Sequence, residues 1–383
     1  MGIIAGPSIV DDGSLIFHYD MENVTKSFKG APTTNLYADG DFSTQTLHPV
    51  NNGPWSFVDG ITDPNGNNVI RIDQDGTTSF HGRDITVSVG VTYSASCWCW
   101  VSPDCNSTRV SLYGEQGFEI GSDYNLGQKG TWQYLSSTRT ATTTNARILA
   151  YQLSNMTQGH CLFGSVQFEQ QSFATPFVNG TRSNTDNIVD LTGNETVTAN
   201  SLTYNSDNTF TFSNGEYITL ANSASIFGSG SVSTTLDFWI KPISVSGHIP
   251  VGHQNVSGER LYIGIYPNVP QVWDLGWGSF AWDAGFTGTR PSVDFNQWQH
   301  ICVSINSGVV SLYKNGVKST FSKTDTSVNL TGVFPIGTYF EVGAAPNAAY
   351  YGTDEIDIFR IYNRALTAAE IKQNYESQKG RFL

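Results

Sequence analysis

Two carboxylates stand two residues apart in the string Glu355-Ile-Asp-Ile-Phe-Arg360. In an extended strand that spacing puts Glu355, Asp357 and Phe359 on one face. Paired carboxyl groups on one surface are the apparatus of glycoside hydrolysis, about 5 Å apart when the sugar configuration is retained. Here the chemistry stops short, because a third carboxylate is missing at 359 or 360. Neither Phe359 nor Arg360 can protonate a leaving group. The string is therefore read as a structural strand. No catalytic residue is assigned, and the expectation is a protein that is not an enzyme.

A second group of residues could bind rather than react. Trp273-Asp-Leu-Gly-Trp277-Gly-Ser-Phe-Ala-Trp282-Asp283 is dense in Trp, Asp and Gly, as a loop or short hairpin would be. Sugar rings have apolar faces that stack on indoles, while Asp side chains bond their hydroxyls. Trp273, Asp274, Trp277, Trp282 and Asp283 are thus candidate glycan contacts, with Tyr350 and Tyr351 beside them. The competing reading has these rings filling a concave face or a subunit interface, since large aromatics are usually well buried. Trp55, Trp98 and Trp100 carry the same two readings. The histidines, among them His18, His81, His160, His253 and His300, show no metal-binding spacing such as HExxH. Cys97, Cys99, Cys105, Cys161 and Cys302 are odd in number and lack a framework spacing. Cys97 and Cys99 would share one face of a strand, with Trp98 and Trp100 on the other. They are read as reduced, buried thiols rather than a zinc site.

The elements that must position these groups are strands. Only 14% of residues are charged, 13% are aromatic and 38 are glycine, the composition of short strands joined by polar turns. The fold class is all-β, with two β-sandwich or jelly-roll domains. A net charge of -13 opposes partners that are themselves anionic. Nucleic acid and anionic membrane are therefore excluded as expected partners. No run approaches the ~20 apolar residues of a membrane span. The start MGIIAGPSIVDDG has neither the basic region nor the apolar length of a secretory signal, so export by that route is not expected.

Strand-like pieces between 35 and 177 are VIRID (69–73), DITVSV (84–89), TYSASCWCWV (92–101), RVSLYG (109–114), TWQYLSSTRT (131–140), RILAYQL (147–153) and CLFGSVQFE (161–169). Further on, Ile301, Val303 and Ile305 alternate, Val310 and Leu312 pair back, and Asn315-Gly316 is a strong hairpin signal. At the end Thr367 and Glu370 have capping-box spacing, and Leu366 with Ile371 makes a hydrophobic staple. Ile371 and Tyr375 share a helix face. A last strand is therefore followed by a short C-terminal helix.

Several of these strings carry a resemblance. NIVDLTGNETVTANSLTYNSDNTFTFSNGEYITL, LDFWIKP (236–242), NQWQHICVSINSGVVSLYKNGV (296–317) and the terminal YYGTDEIDIFRIYNRALTAAEIKQNY resemble laminin-G/concanavalin A-like sandwiches. Laminarinase-type glucanases share that sandwich and a strand motif similar to the Glu355 string. NLYADGDFS, with Trp132 further on, resembles carbohydrate-binding jelly-roll modules, and VQFEQQSFATPFVNG resembles the close of such modules in phage virion proteins. The resemblance implies a structural calcium ion as the possible cofactor, with Asp41, Asp354 and Glu355 as candidate ligands. It also implies that Gly13–Asp20 is the first strand of the C-terminal sandwich and that Asp190-Leu-Thr-Gly-Asn194 is its continuation. The expected organisation is an arm over 1–34 that supplies this strand from residues near 13–22, an inserted jelly roll over 35–180 and a concanavalin A-like sandwich over 181–383. The resemblance further implies a structural protein on a phage particle, in a fibre or as decoration. Its expected partners are other virion proteins and host-surface glycans, with many copies, as in a trimer, supplying avidity.

Overall fold

Strand Asp354–Tyr362 lies between two strands from opposite ends of the sequence, Leu15–Asp20 on one side and Ser233–Pro242 on the other. The structure is a computed structural model. It describes residues 8–21, 27–45, 48–73, 75–116, 118, 121–153, 155–205, 210–213, 215–220, 233–243, 250–254, 260–265, 272–278, 287–307, 309–324, 339–343 and 353–383. The protein is mostly β, with a helix, Ala368–Phe382, at its end. The chain divides into two bodies, one made of 1–30 with 184–383 and the other of 31–183.

The first body is a sandwich of two antiparallel six-stranded sheets. One runs Leu15–Asp20, Asp354–Tyr362, Ser233–Pro242, Gln299–Asn306, Val309–Lys314, Val317–Thr324. The other runs Val197–Asn200, Tyr217–Leu220, Tyr339–Val342, Val251–Gln254, Arg260–Ile265, Trp273–Gly278. Alternation sends Phe238, Ile240, Ile301, Val303 and Ile305 inward from the first sheet to meet Ile218, Leu220, Ile263, Ile265 and Leu275 from the second, in one buried core. Each such side chain contributes roughly 1.5–3 kcal/mol relative to exposure. Asn315 and Gly316 both have positive φ, 51° and 73°. That is the geometry of the two-residue turn their sequence favours, and Lys314 pairs with Val317 across it.

The last strand departs from simple alternation. Its register against Ser233–Pro242 slips between Trp239, opposite Ile358, and Ile240, opposite Ile356. Asp357 is the extra residue of a β-bulge, and the faces exchange there. Ile356, Phe359 and Ile361 enter the core. Glu355 therefore shares the outer face with Ile358 and Arg360, and the expectation that Glu355, Asp357 and Phe359 line one face fails.

The terminal helix covers that outer face. Thr367 caps it, the reciprocal bonds with Glu370 form the full capping box, and Leu366 and Ile371 bury themselves in one apolar cluster with Cys302, Tyr313 and Tyr362. Trp239 stacks on Phe382 at 4.4 Å and on Tyr375 at 5.7 Å. Beneath the helix lies a wholly buried polar group. Arg360 donates to Asp237 at 2.9 Å, His300 Nε2 lies 3.0 Å from the same carboxylate, and Asn374 on the helix donates to it at 3.2 Å. Burial by itself would push the Asp237 carboxyl up, but His300 and Arg360 outweigh it and hold the group at about 2.

The second body has two five-stranded sheets. One runs Trp132–Thr140, Thr92–Val101, His160–Glu169, Asn68–Asp73, Trp55–Thr62, and the other Val50–Asn52, Ser79–Thr86, Asn145–Gln152, Val110–Glu115, Gly121–Asp123. Cys97 and Cys99 point into its core with Ile70, Ile72, Ile148 and Phe163. Its two ends meet, since Thr33–Thr34 pairs with Thr181–Arg182. The ATPF segment folds back on the buried Glu169, which accepts from Thr175 N at 2.7 Å and from its hydroxyl at 2.7 Å. One end of the core is aromatic and basic: His81 stacks on His48 at 4.4 Å and tilts against Trp55 at 4.4 Å. Burial pushes His81 down to about 3 and His48 to about 4.

Two outcomes follow from these buried charges. Arg360→Met leaves the Asp237 carboxylate short of its cation in a dry layer, and urea unfolding should show a loss of about 3–5 kcal/mol. A loss under about 1 kcal/mol would mean the pair contributes little. His48 and His81 are held neutral in the folded state while their unfolded counterparts titrate near 6.5. The stability they permit is therefore full above pH 6.5 and is lost as pH falls toward 3. The urea midpoint of the wild type should drop between pH 7 and pH 4 more steeply than that of His81→Leu, and parallel curves would refute this.

Candidate functional site

The residues singled out for sugar contact are placed differently by the structure. Trp273 is wholly buried in the sandwich core, and its indole Nε1 donates to Gln299 at 3.1 Å. It cannot present a ring face to a ligand, and here the packing reading of the aromatic patch holds. Strand alternation explains this, because 273 and 275 face inward while Asp274 faces the other way. Asp274 is also wholly buried, with Arg290 Nε 3.4 Å from its carboxylate. The segment that supplies Arg290 bridges both sheet edges, through Val272 with Ser292 and Thr287 with Ser322, and so reaches the start of the edge strand Trp273–Gly278. Trp277 lies in that strand opposite Leu261. Its side chain, together with Trp282, Asp283, Tyr350 and Tyr351, lies outside the described residues.

The candidate calcium ligands each have partners within the protein. Asp41 is half-buried, accepts from Ser43 N at 3.2 Å and from Asn179 at 2.6 Å, and belongs to the second body. Asp354 is buried, and its backbone bridges Phe212. Glu355 is paired with Lys241 at 2.9 Å. Among the described residues no three His, Cys, Asp or Glu side chains come together as a metal-binding group.

The surface best built for a planar ligand is instead on the second body. In strand Thr92–Val101, Trp98 and Trp100 face away from the core that Cys97 and Cys99 enter. The neighbouring strand Trp132–Thr140 sets Trp132 opposite Trp100 and Tyr134 opposite Trp98. Four aromatic rings thus stand in a two-by-two array on the open face of the sheet. Trp98, Trp100 and Trp132 are half-buried, and Tyr134 is 42% exposed. Trp98 and Tyr134 are 5.3 Å apart and tilted, and His160 extends the row at 5.4 Å from Trp100. Polar groups flank the rings: Arg71 and Asp73 form an exposed ion pair at 2.6 Å, and the Ser94 and Thr138 hydroxyls lie 2.7 Å apart. Apolar ring faces edged by charged and hydroxyl groups are complementary to a saccharide, which is apolar on its faces and polar around its rim.

The other sheet carries a smaller pair, Tyr113 and Tyr151, with rings 5.1 Å apart. Arg109 already lies over Tyr113 at 5.1 Å and is held by Asp123 at 2.9 Å, so that ring face is occupied from within. The array of Trp98, Trp100, Trp132 and Tyr134 has no such cover among the described residues. The outward position of Trp98 and Trp100 is legible in the alternation of TYSASCWCWV. The pairing register that brings Trp132 and Tyr134 beside them is not.

Comparison with known proteins agrees with the architecture. The Laminin G 3 family model, described as the concanavalin A-like lectin/glucanases superfamily, matches residues 212–372, and this C-terminal part is a concanavalin A-like domain. No curated protein sequence matches the chain. Among solved structures, the chain is similar to Trypanosoma rangeli sialidase in complex with the inhibitor DANA, with 14% identity, a TM-score of 0.40, and coverage of 50% of this chain and 30% of that one. It is similar to the botulinum neurotoxin serotype D binding domain, with 18% identity, a TM-score of 0.38, and coverage of 51% and 50%. It is also similar to domain 4 of the GH43 extracellular arabinanase AbnA from Geobacillus stearothermophilus in complex with arabinotriose, with 22% identity, a TM-score of 0.35, and coverage of 49% and 91%. The chain thus spans under a third of the sialidase and half of the neurotoxin domain.

Core and surface tryptophans should separate in unfolding experiments. Trp239→Ala and Trp273→Ala, which empty buried sites, should each cost about 3–5 kcal/mol. Trp98→Ala and Trp100→Ala should cost no more than about 1 kcal/mol each. Equal losses at all four positions would place Trp98 and Trp100 in the packing rather than on a binding surface.

Proposed function

We propose that this is a non-enzymatic glycan-binding protein, displayed in several copies on a phage particle and adhering to host-surface saccharides. The observation that carries the reading is the array of Trp98, Trp100, Trp132 and Tyr134. Solvent-facing aromatic side chains clustered on one sheet face are costly to leave in water unless they meet a partner. Stacking on a few rings gives weak affinity at each site, and repetition on one particle converts it into firm attachment. The virion setting rests on the resemblance of VQFEQQSFATPFVNG (166–180) to the close of jelly-roll modules in phage virion proteins.

Absence of catalysis is part of the proposal. Glu355 is engaged by Lys241, Arg381 lies 3.4 Å from Asp357, and Arg360 is spent on Asp237. The carboxylates of the glucanase-like string are thereby committed to ion pairs on a face that the terminal helix helps to cover.

The purified chain should bind a subset of immobilised bacterial glycans and intact host cells. Trp100→Ala combined with Trp132→Ala should lower that binding at least tenfold while leaving the circular dichroism spectrum unchanged. No reducing ends should be released from the same polysaccharides, by wild type or by Glu355→Gln. Glycan binding that survives the double substitution would refute the assigned surface. Release of reducing ends that Glu355→Gln abolishes would replace adhesion with hydrolysis.

A further inference from the structure

Three sulfur atoms meet inside the second body. Cys161 is the second residue of strand His160–Glu169 and faces the core, Cys105 lies in the connection after Thr92–Val101, and Met156 lies in the connection before His160. All three are buried, at 0%, 1% and 0% exposure. Cys105 Sγ is 3.5 Å from Met156 Sδ and Cys161 Sγ is 3.9 Å from the same atom, so both thiols converge on the thioether. We propose that Cys105, Cys161 and Met156 form a closed site for one soft monovalent metal ion, copper(I) by its chemistry.

Three arguments support the assignment. The first is size. A metal bound to sulfur at about 2.3 Å, in the plane of three such atoms, requires them about 4 Å apart, and the two spacings to Met156, 3.5 and 3.9 Å, are close to that. The second is softness. Two thiolates and a thioether select copper(I), whereas zinc asks for four ligands drawn from Cys, His and carboxylate. The third is preorganisation. Ser102 and His160 exchange two bonds, at 3.0 and 2.9 Å, and Cys105 N donates to Ser102 O at 3.0 Å. Gly159 has φ +79°, and a Cβ there would stand 2.6 Å from Cys105 Cα, so only glycine lets the backbone press this close. Met156 is held in turn by Gly76 N, which donates to its carbonyl at 2.9 Å.

Binding would join copper(I) to the Cys105 and Cys161 sulfurs as thiolates and to the Met156 thioether, with one proton leaving each cysteine for solvent. The metal stays monovalent throughout, and no electron is transferred.

The test is anaerobic titration of the reduced full-length protein with copper(I) against the chromogenic chelator bicinchoninate. One equivalent should be retained, with new ultraviolet absorption from sulfur-to-copper charge transfer. Cys105→Ser and Cys161→Ser should each weaken retention at least a hundredfold and Met156→Leu about tenfold, while Cys302→Ser in the other body leaves it unchanged. Loss of all copper from wild type to bicinchoninate, or equal retention by the Cys105 and Cys161 variants, overturns the site. Should those variants fail to fold, silver(I) provides the second measurement. It should raise the urea midpoint of wild type where zinc does not, and an unmoved midpoint counts against the proposal.

Discussion

The concanavalin A-like sandwich depends on what its outer face does with charge. Asp237 and Arg360 are direct cross-strand partners on that face, both fully buried, and a carboxylate or guanidinium alone there would cost several kcal/mol. They are tolerable because Arg360 Nη1 pairs with the Asp237 carboxylate, to which His300 and Asn374 also bond, while Arg360 Nε and Nη2 have no hydrogen-bond partner among the described residues. Asn374 comes from the helix, so helix and sheet must dock together for the cluster to close. Trp239 and Tyr362 then find apolar cover under Phe382 and Ile371. A buried ion pair of this kind contributes less to net stability than to fixing one register of helix on sheet.

The bulge at Asp357 is the second constraint. Without the slip Phe359 would leave the core, and Arg360 would enter it. One inserted residue thus keeps aromatic packing inward while delivering arginine to the charged layer.

How far the sequence made this legible differs by element. The strands of the second body were readable where apolar and polar residues alternate strongly, and Thr92–Val101 falls where TYSASCWCWV does. DITVSV was displaced, the strand being Ser79–Thr86, because tertiary pairing with Asn145–Gln152 outweighs local β-propensity there. Trp55–Thr62 was not separable from a turn, since Asp59-Gly60 lies in it. The capping box and staple were legible because they depend on neighbours in sequence. The bulge was not, because register is a property of two strands together. For the same reason the sugar-facing candidates drawn from one segment placed Trp273 wrongly, while the array of Trp98, Trp100, Trp132 and Tyr134 needs two strands about 34 residues apart to be seen.

The short ladder between Thr33–Thr34 and Thr181–Arg182 has a consequence for folding. Leu15 must find Tyr362 across nearly the whole chain, and residues 31–183 lie on the path. Unfolded, that stretch is a long flexible loop. Folded, with its ends tied two residues deep, it behaves as a connection a few residues long. On the logarithmic dependence of loop-closure entropy on length, taking those residues out of the path favours closure of the first sheet by about 0.5 kcal/mol. The second body therefore acts as a modest intramolecular staple for the first.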